Sequence, residues 1–244
     1  MADVRLRVCA LYPDLMNIYA DRGNLRLLQQ RCLWRGIDFE LIACGVGDRL
    51  DPEGADLYYM GGGQDRDQAL CAGDLYATKR EQLAQAAARG AVIFGVCGGY
   101  QLLGHSYELG DQQLPGAGLV DLVTVRSDGP RLIGNVAIEV ELEPGRPRIL
   151  AGFENHGGRT TLGAAERPLG RVITGHGNDG HTGAEGVRRG NVIGTYLHGP
   201  LLPKNVWFAD WLIATATGLP TPLATLDDSL EDAAHAEARR AAGL

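Results

Sequence analysis

At 244 residues, with 23 basic against 30 acidic residues and a net charge of −7, the chain is long enough to bury a sizeable core. It has no Lys/Arg block and no basic–aromatic interleaving to grip a phosphate backbone, which argues against a nucleic-acid partner. Its five cysteines, an odd number without CxxC spacing, argue against a disulfide framework, point to a reducing compartment and leave no legible metal site.

The N-terminal stretch MADVRLRVCALYP lacks an apolar signal core, and the most apolar later stretch, WFADWLIATATGL, is short and carries Asp210. The reading is a soluble, cytoplasmic protein that is not embedded in a membrane. Residues 4–11 read as a first strand, and 22–35 as a helix in which Leu25, Leu28 and Cys32 recur on one face before Gly36. Segments 39–43 and 55–60 read as strands, 79–89 as a helix ended by Gly90, and 91–96 as a further strand. This alternation implies a mostly parallel sheet flanked by helices on both faces. From 118 to 142, LVDLVTV and LIGNVAIEVEL suggest antiparallel additions to that sheet. Residues 150–190 are glycine-rich and loop-like. A last strand, 191–197, leads to His198; a helix is expected over 205–217 and a weakly amphipathic one over 228–242. The whole, 1–244, reads as a single domain with a C-terminal helical tail at 225–244.

The chemistry concentrates in AVIFGVCGGYQLLG, residues 91–104, where an apolar run ends in Gly95-Val96-Cys97-Gly98-Gly99 and a helix begins. A sharp strand-to-helix turn needs small neighbours because the nucleophile's backbone is strained, and Gly95, Gly98 and Gly99 supply them. The turn places Cys97 at a helix N-terminus, where unpaired N–H groups favour a thiolate by up to about 2 kcal/mol. That ionises only part of the thiol at neutral pH, so a base is required. Cys9, Cys32, Cys44 and Cys71 sit in ordinary packing contexts. Of six histidines, His198 has the best position for the base because it follows a buried-looking strand and is released by Gly199-Pro200; His156, in GFENHGG, is second. A cysteine and a histidine on neighbouring strand ends can attack a carbonyl and protonate a leaving amine. Two sources of oxyanion donors are visible: the N–H of Gly98, and YMGGGQD, where strand 56–60 runs into Gly61-Gly62-Gly63.

GVCGGYQLLG, YMGGGQD and TYLHG resemble class I glutamine amidotransferases of the cobyric acid synthase-like type, a flavodoxin-like α/β fold. LMNIYADRGN (15–24), RLIGN (131–135), GFENHGGRT (152–160), GNDGHTGAEG (177–186) and GTYLHGPLLPKN (194–205) extend the resemblance, over nearly the whole chain, to the GatD family of glutaminase subunits of lipid II isoglutaminyl synthase. The resemblance implies that L-glutamine is hydrolysed through a thioester and that ammonia passes to a Mur ligase-like synthetase partner, MurT. ATP and Mg would be bound there, to amidate the D-glutamate α-carboxyl of lipid II in peptidoglycan synthesis at the cytoplasmic membrane face. It makes Cys97 the nucleophile, His198 the base and Arg131 the holder of the glutamine α-carboxylate, with Gly62, Gly63, Gly98 and Gln101 also at the substrate. A planar guanidinium suits a carboxylate clamp on physical grounds as well. Asp21, in the matched NIYAD segment, orients substrate or partner, or else caps a helix.

Many class I amidotransferases carry a glutamate two residues after the histidine; here that position is Pro200. Either a dyad suffices or an acid from elsewhere serves, Glu108 or one on the partner. No G-x-x-x-x-G-K-[ST] and no well-placed G-x-G-x-x-G is present, so no cofactor is expected in this chain and a partner must supply activation. Alternatives are an amidotransferase subunit for a cobyrinate-type or other synthetase, a non-catalytic regulatory subunit, and a stand-alone cysteine peptidase. The 175–190 segment is a lid, a partner-contact loop or a long connection, with partner contact preferred.

Overall fold

The computed structural model describes residues 4–18, 21–109 and 111–244; Tyr19 and Ala20 of the LMNIYADRGN segment lie outside them. Strand β1 (Arg5–Leu11) leads to helix α1 (Arg22–Trp34), β2 (Asp38–Cys44) and β3 (Leu57–Met60). Then come α2 (Asp65–Asp74), a π-helical turn (Leu75–Lys79), α3 (Arg80–Ala88), β4 (Val92–Val96) and the short α4 (Gly98–Leu102). The strand-rich middle comprises β5 (Ser106–Leu109), β6 (Gln112–Pro115), β7 (Leu122–Arg126), β8 (Leu132–Val140), β9 (Arg148–His156), β10 (Gly158–Leu162) and β11 (Gly170–Thr174). The two-residue β12 (Ala184–Glu185), β13 (Val187–Arg189), β14 (Val192–Thr195), α5 (Val206–Thr217) and α6 (Ser229–Ala241) complete the chain.

A six-stranded sheet in the order β13-β14-β4-β3-β1-β2 forms the centre, and all its neighbours are parallel except β13 with β14. Discounting the edge strand β13, this is the flavodoxin order, in which ligands gather at the carboxyl ends of the strands. Strands β3, β4 and β14 are buried at every residue, which is why they read as unbroken apolar runs. Phe94 of β4 packs edge-on against Phe208 of α5, with ring centroids 5.7 Å apart, joining the sheet to one helical layer. Behind that layer, Arg31 of α1 is fully buried and ion-paired to both Asp210 of α5 and Asp228, which precedes α6.

The antiparallel strands do not extend the central sheet, contrary to the sequence expectation. They form two four-stranded sheets of their own, β10-β7-β5-β6 and β12-β11-β8-β9. At the central sheet itself the one antiparallel addition is β13 on β14. The loop-like reading of 150–190 is also corrected, since β9 to β13 run through it. Its strands bury polar side chains, including Glu154, His156, Thr160 and Glu185, which blurs the apolar alternation by which strands are recognised. Helix α6 lies against β8, β9 and the 3-10 turn Leu202–Lys204; Asn135 Nδ2 donates to the Ala241 carbonyl at 2.9 Å. No described helix is long and apolar enough to cross a membrane.

Candidate active site

Strand β4 delivers Cys97 into a left-handed backbone conformation, φ +53° and ψ −109°, a rare and strained setting for a residue with a side chain. Its N–H donates to the Thr195 carbonyl at 2.8 Å, which ties the elbow to neighbouring β14. The glycines around it are forced by contact. A Cβ on Gly99 would lie 2.2 Å from the Met60 carbonyl oxygen, and one on Gly95 would lie 2.8 Å from that of Gly99. Strand β3 approaches so closely that a Cβ on Gly98 would stand 3.1 Å from the Gly63 nitrogen, and one on Gly62 would stand 3.4 Å from Cys97 Cβ. Cys97, Gly98, Gly62 and Gly63 therefore lie against one another where β3 and β4 end.

Strand β14, paired to β4 through Thr195↔Val96, ends three residues before His198. His198 is held by Phe153 near the end of β9: its N–H donates to the Phe153 carbonyl at 2.9 Å, and the Phe153 N–H returns the bond at 3.3 Å. Burial first, then the fields of His156, Lys204 and Arg131, push the pKa of His198 down to about 4. Arg131, exposed just before β8, is gripped by Asn155 of β9. Its Nε donates to Asn155 Oδ1 at 2.7 Å and its Nη2 to the Asn155 carbonyl at 2.8 Å. Its charge is felt by both Cys97 and His198. One guanidinium charge thus reaches both the thiol and the imidazole.

Cys97 is buried, and its thiol is not the acidic group that a helix terminus alone would give. Burial, then the negative field of Asp21, push it up to about 12 against the opposing Gly98 N–H and Arg131. The helix that follows is only five residues long, so little dipole is available to offset these terms. Both shifts favour the neutral forms, thiol and imidazole, over the ion pair.

Other sequence candidates fall differently. Gln101 is buried and engaged inside the protein: its Oε1 accepts from Gln68 Nε2 at 2.7 Å, and its Nε2 donates to the Tyr196 hydroxyl at 3.2 Å. The Gly62 N–H is taken by Asp21 Oδ2 at 2.7 Å. Asp21 stands at the start of α1 but makes no capping bond, so the capping alternative does not describe its side chain. His156 lies flat on Tyr196, centroids 3.5 Å apart, with Nδ1 bonded to the Gly158 carbonyl and Nε2 3.6 Å from Glu154. Glu108 follows Tyr107 on β5, and Tyr107 is the residue that feels the charges of Cys97 and Arg131; strand alternation turns Glu108 to the other face. In the 175–190 segment, Asn178 is buried and bonded to the Tyr100 hydroxyl and to Gly186, which fastens the segment behind α4. Asn155, Phe153 and Gln68 are absent from the sequence-derived site; the first two lie inside the GFENHGG motif, whose histidine draws attention away from them.

The match to the CobB/CobQ-like glutamine amidotransferase domain covers residues 7–206, and the chain belongs to that family. Within it, the chain groups with the GatD subunits of lipid II isoglutaminyl synthase (glutamine-hydrolyzing). It is 36% identical to that of Streptococcus pneumoniae, over 87% of this chain and 80% of the relative, and 36% identical to that of Staphylococcus aureus, over 93% and 91%. A cobyric acid synthase of Pelotomaculum thermopropionicum is also 36% identical, but over 66% of this chain and only 34% of its own length. Among solved structures, PurLQS from Thermotoga maritima superposes with a TM-score of 0.57 at 21% identity, covering 87% of this chain and 95% of that one. A glutamine amidotransferase from the same organism gives 0.54 at 16%, covering 98% and 94%. These two support the fold alone.

Proposed function

We propose that the chain is the glutaminase subunit of a two-component lipid II isoglutaminyl synthase. The observation that carries this is the pairing of β4 with β14, which sets a strained cysteine and a histidine at adjacent strand ends within the field of one guanidinium. Arg131, held by Asn155, offers its remaining N–H groups to the α-carboxylate of L-glutamine. Cys97 Sγ attacks the side-chain carbonyl carbon as its proton passes to His198. The C–N bond then breaks, and His198 gives that proton to the leaving nitrogen, which departs as ammonia. Water, deprotonated by His198, opens the thioester to glutamate and restores the thiol. The N–H groups of Gly98 and Gly63 are the oxyanion donors, since that of Gly62 is engaged by Asp21. Gln101 supports the elbow from behind rather than touching substrate.

The acceptor is activated elsewhere. A carboxylate does not take ammonia without activation, so ATP and Mg belong to a Mur ligase-like partner, MurT, and the two work at the cytoplasmic membrane face. The third member of the catalytic group is open between none and an acid on the partner. The test is glutamate and ammonia release from L-glutamine, with a Cys97→Ala control, by the chain alone and with the Mur ligase-like partner. Release that survives Cys97→Ala, or is absent in both conditions, ends the reading.

A further inference from the structure

Asp21 is a buried carboxylate set against Gly61 and Gly62, and neither the thioester chemistry nor glutamine binding makes use of it. Only 1% of the residue is exposed. Oδ2 accepts the Gly62 N–H at 2.7 Å, while Oδ1 has no hydrogen-bond partner among the described residues. An isolated buried carboxylate oxygen is costly, so such a group persists only where the surroundings hold it in place. Here the surroundings are the oxyanion loop. Oδ2 would lie 3.1 Å from a Cβ on Gly61 and 3.4 Å from one on Gly62, and that same Gly62 position touches Cys97 Cβ. The carboxylate and the nucleophile thus both border the space that a side chain on this one glycine would take.

Resting on the glutaminase reading above, we propose that Asp21 is a positioning residue: its carboxylate pins the Gly61–Gly63 loop beside Cys97, and its charge keeps the cysteine a thiol while the site is empty. The loop is pinned because the Gly62 amide is fixed to the anion, which leaves Gly63 and Gly98 to face the nucleophile. The charge acts because both groups are buried, where a field is screened less than in water. The ionisable groups bearing on Cys97 are Asp21 and Asp65, which oppose the thiolate, and Arg131, which favours it, beside His198, the proposed base on the neighbouring strand end; Tyr107 and Tyr196 also lie within its field. Asp21 itself faces Tyr59, whose hydroxyl donates to the Asp21 carbonyl and to whose ring oxygen Asn24 also donates. A cysteine held as a thiol is protected from stray oxidants and electrophiles until a substrate arrives.

The experiment is peptide-resolved alkylation of Cys97 by iodoacetamide between pH 6 and pH 10, on the full chain without glutamine, for wild type, Asp21→Asn and Asp21→Ala. Asparagine can still accept the Gly62 N–H but carries no charge. Asp21→Asn should therefore alkylate about tenfold faster at pH 7.5, its profile displaced about one pH unit to the acid side. In the wild type, the slope of log rate against pH should fall below one while Asp21 ionises, and then recover. Asp21→Ala, which frees the loop as well, should match the faster alkylation but lose about tenfold or more of glutaminase kcat, as removal of an aligned oxyanion donor does. Superimposable wild-type and Asp21→Asn profiles, or a wild-type slope of one throughout, overturn the proposal. Because alkylation needs no turnover, these outcomes stand apart from the glutaminase assay, whose failure would count against the proposed function instead.

Discussion

Phe153 and His198 exchange backbone hydrogen bonds at 2.9 and 3.3 Å, and their rings meet edge to face with centroids 5.8 Å apart. This pair lies beyond the end of β14, so the histidine is steadied by β9, a strand of a different sheet, rather than by the strand that delivers it. Replacing the phenyl ring should disturb the base without touching the nucleophile. Phe153→Ala is expected to lower kcat about fivefold to tenfold, from about 1 kcal/mol of lost ring contact, with the rate of Cys97 alkylation unchanged. Steady-state glutaminase kinetics beside alkylation rates check this.

Arg131→Ala should raise KM for glutamine about tenfold to hundredfold, since a charged hydrogen bond contributes about 1.5–3 kcal/mol, and lower kcat less. Arg131→Lys keeps the charge but lacks the fork that Asn155 grips at Nε and Nη2, so it should recover only part of the loss. The KM series of the three proteins is the measurement.

The elbow strain can be read from stability. Cys97→Ala and Cys97→Gly should both abolish turnover, yet the glycine variant should be the more stable by about 1 kcal/mol or more, because φ +53° with ψ −109° suits a residue without a Cβ. Denaturant unfolding of the two inactive proteins compares them directly.

Contact, not conformation, governs Gly99. Its missing Cβ would sit 2.2 Å from a backbone oxygen of β3, whereas a Cβ on Gly134 of β8 would meet nothing within 4 Å. Gly99→Ala should cost about 3 kcal/mol or prevent folding, while Gly134→Ala should be close to neutral. Midpoints of thermal unfolding separate them.

Asp21 makes stability depend on pH in a defined direction. Burial raises its pKa from the ordinary carboxylate range to about 7, so the folded chain keeps a proton that the unfolded chain gives up. This contribution to stability is therefore greatest below about pH 4, declines as pH rises towards 7 and is flat above. Asp21→Asn should be the more stable protein at pH 8, by up to about 4 kcal/mol, with the gap closing towards pH 4. Urea unfolding at both pH values checks the sign. A gap that widens on acidification would refute the assignment.

The nucleophile strand, its glycines and the histidine strand were legible because each is a short apolar run ended by glycine, the pattern that a buried parallel strand produces. The central sheet followed from them. Asp21 was harder: an acidic residue just before a helix has the form of a cap, and only the fold shows its carboxylate turned across to Gly62. Asn155 and Phe153 were hidden because their work is done on residues 24 and 45 positions away, which no local period records. The glycine-rich 175–190 stretch read as surface because its buried members are polar. Asn178 and Glu185 find their partners in Tyr100, Thr195 and Tyr196, and those pairings are made only by the tertiary structure.

Arg131 and His198 share a support that Cys97 does not. Asn155 grips the first and Phe153 the second, two residues apart on β9. A displacement of that strand end, whatever bears on it from outside, moves the affinity for glutamine and the proton transfer in step while the sulfur stays where β4 holds it. Effectors of this enzyme acting through β9 would thus appear in kinetics as mixed-type, altering KM and kcat together.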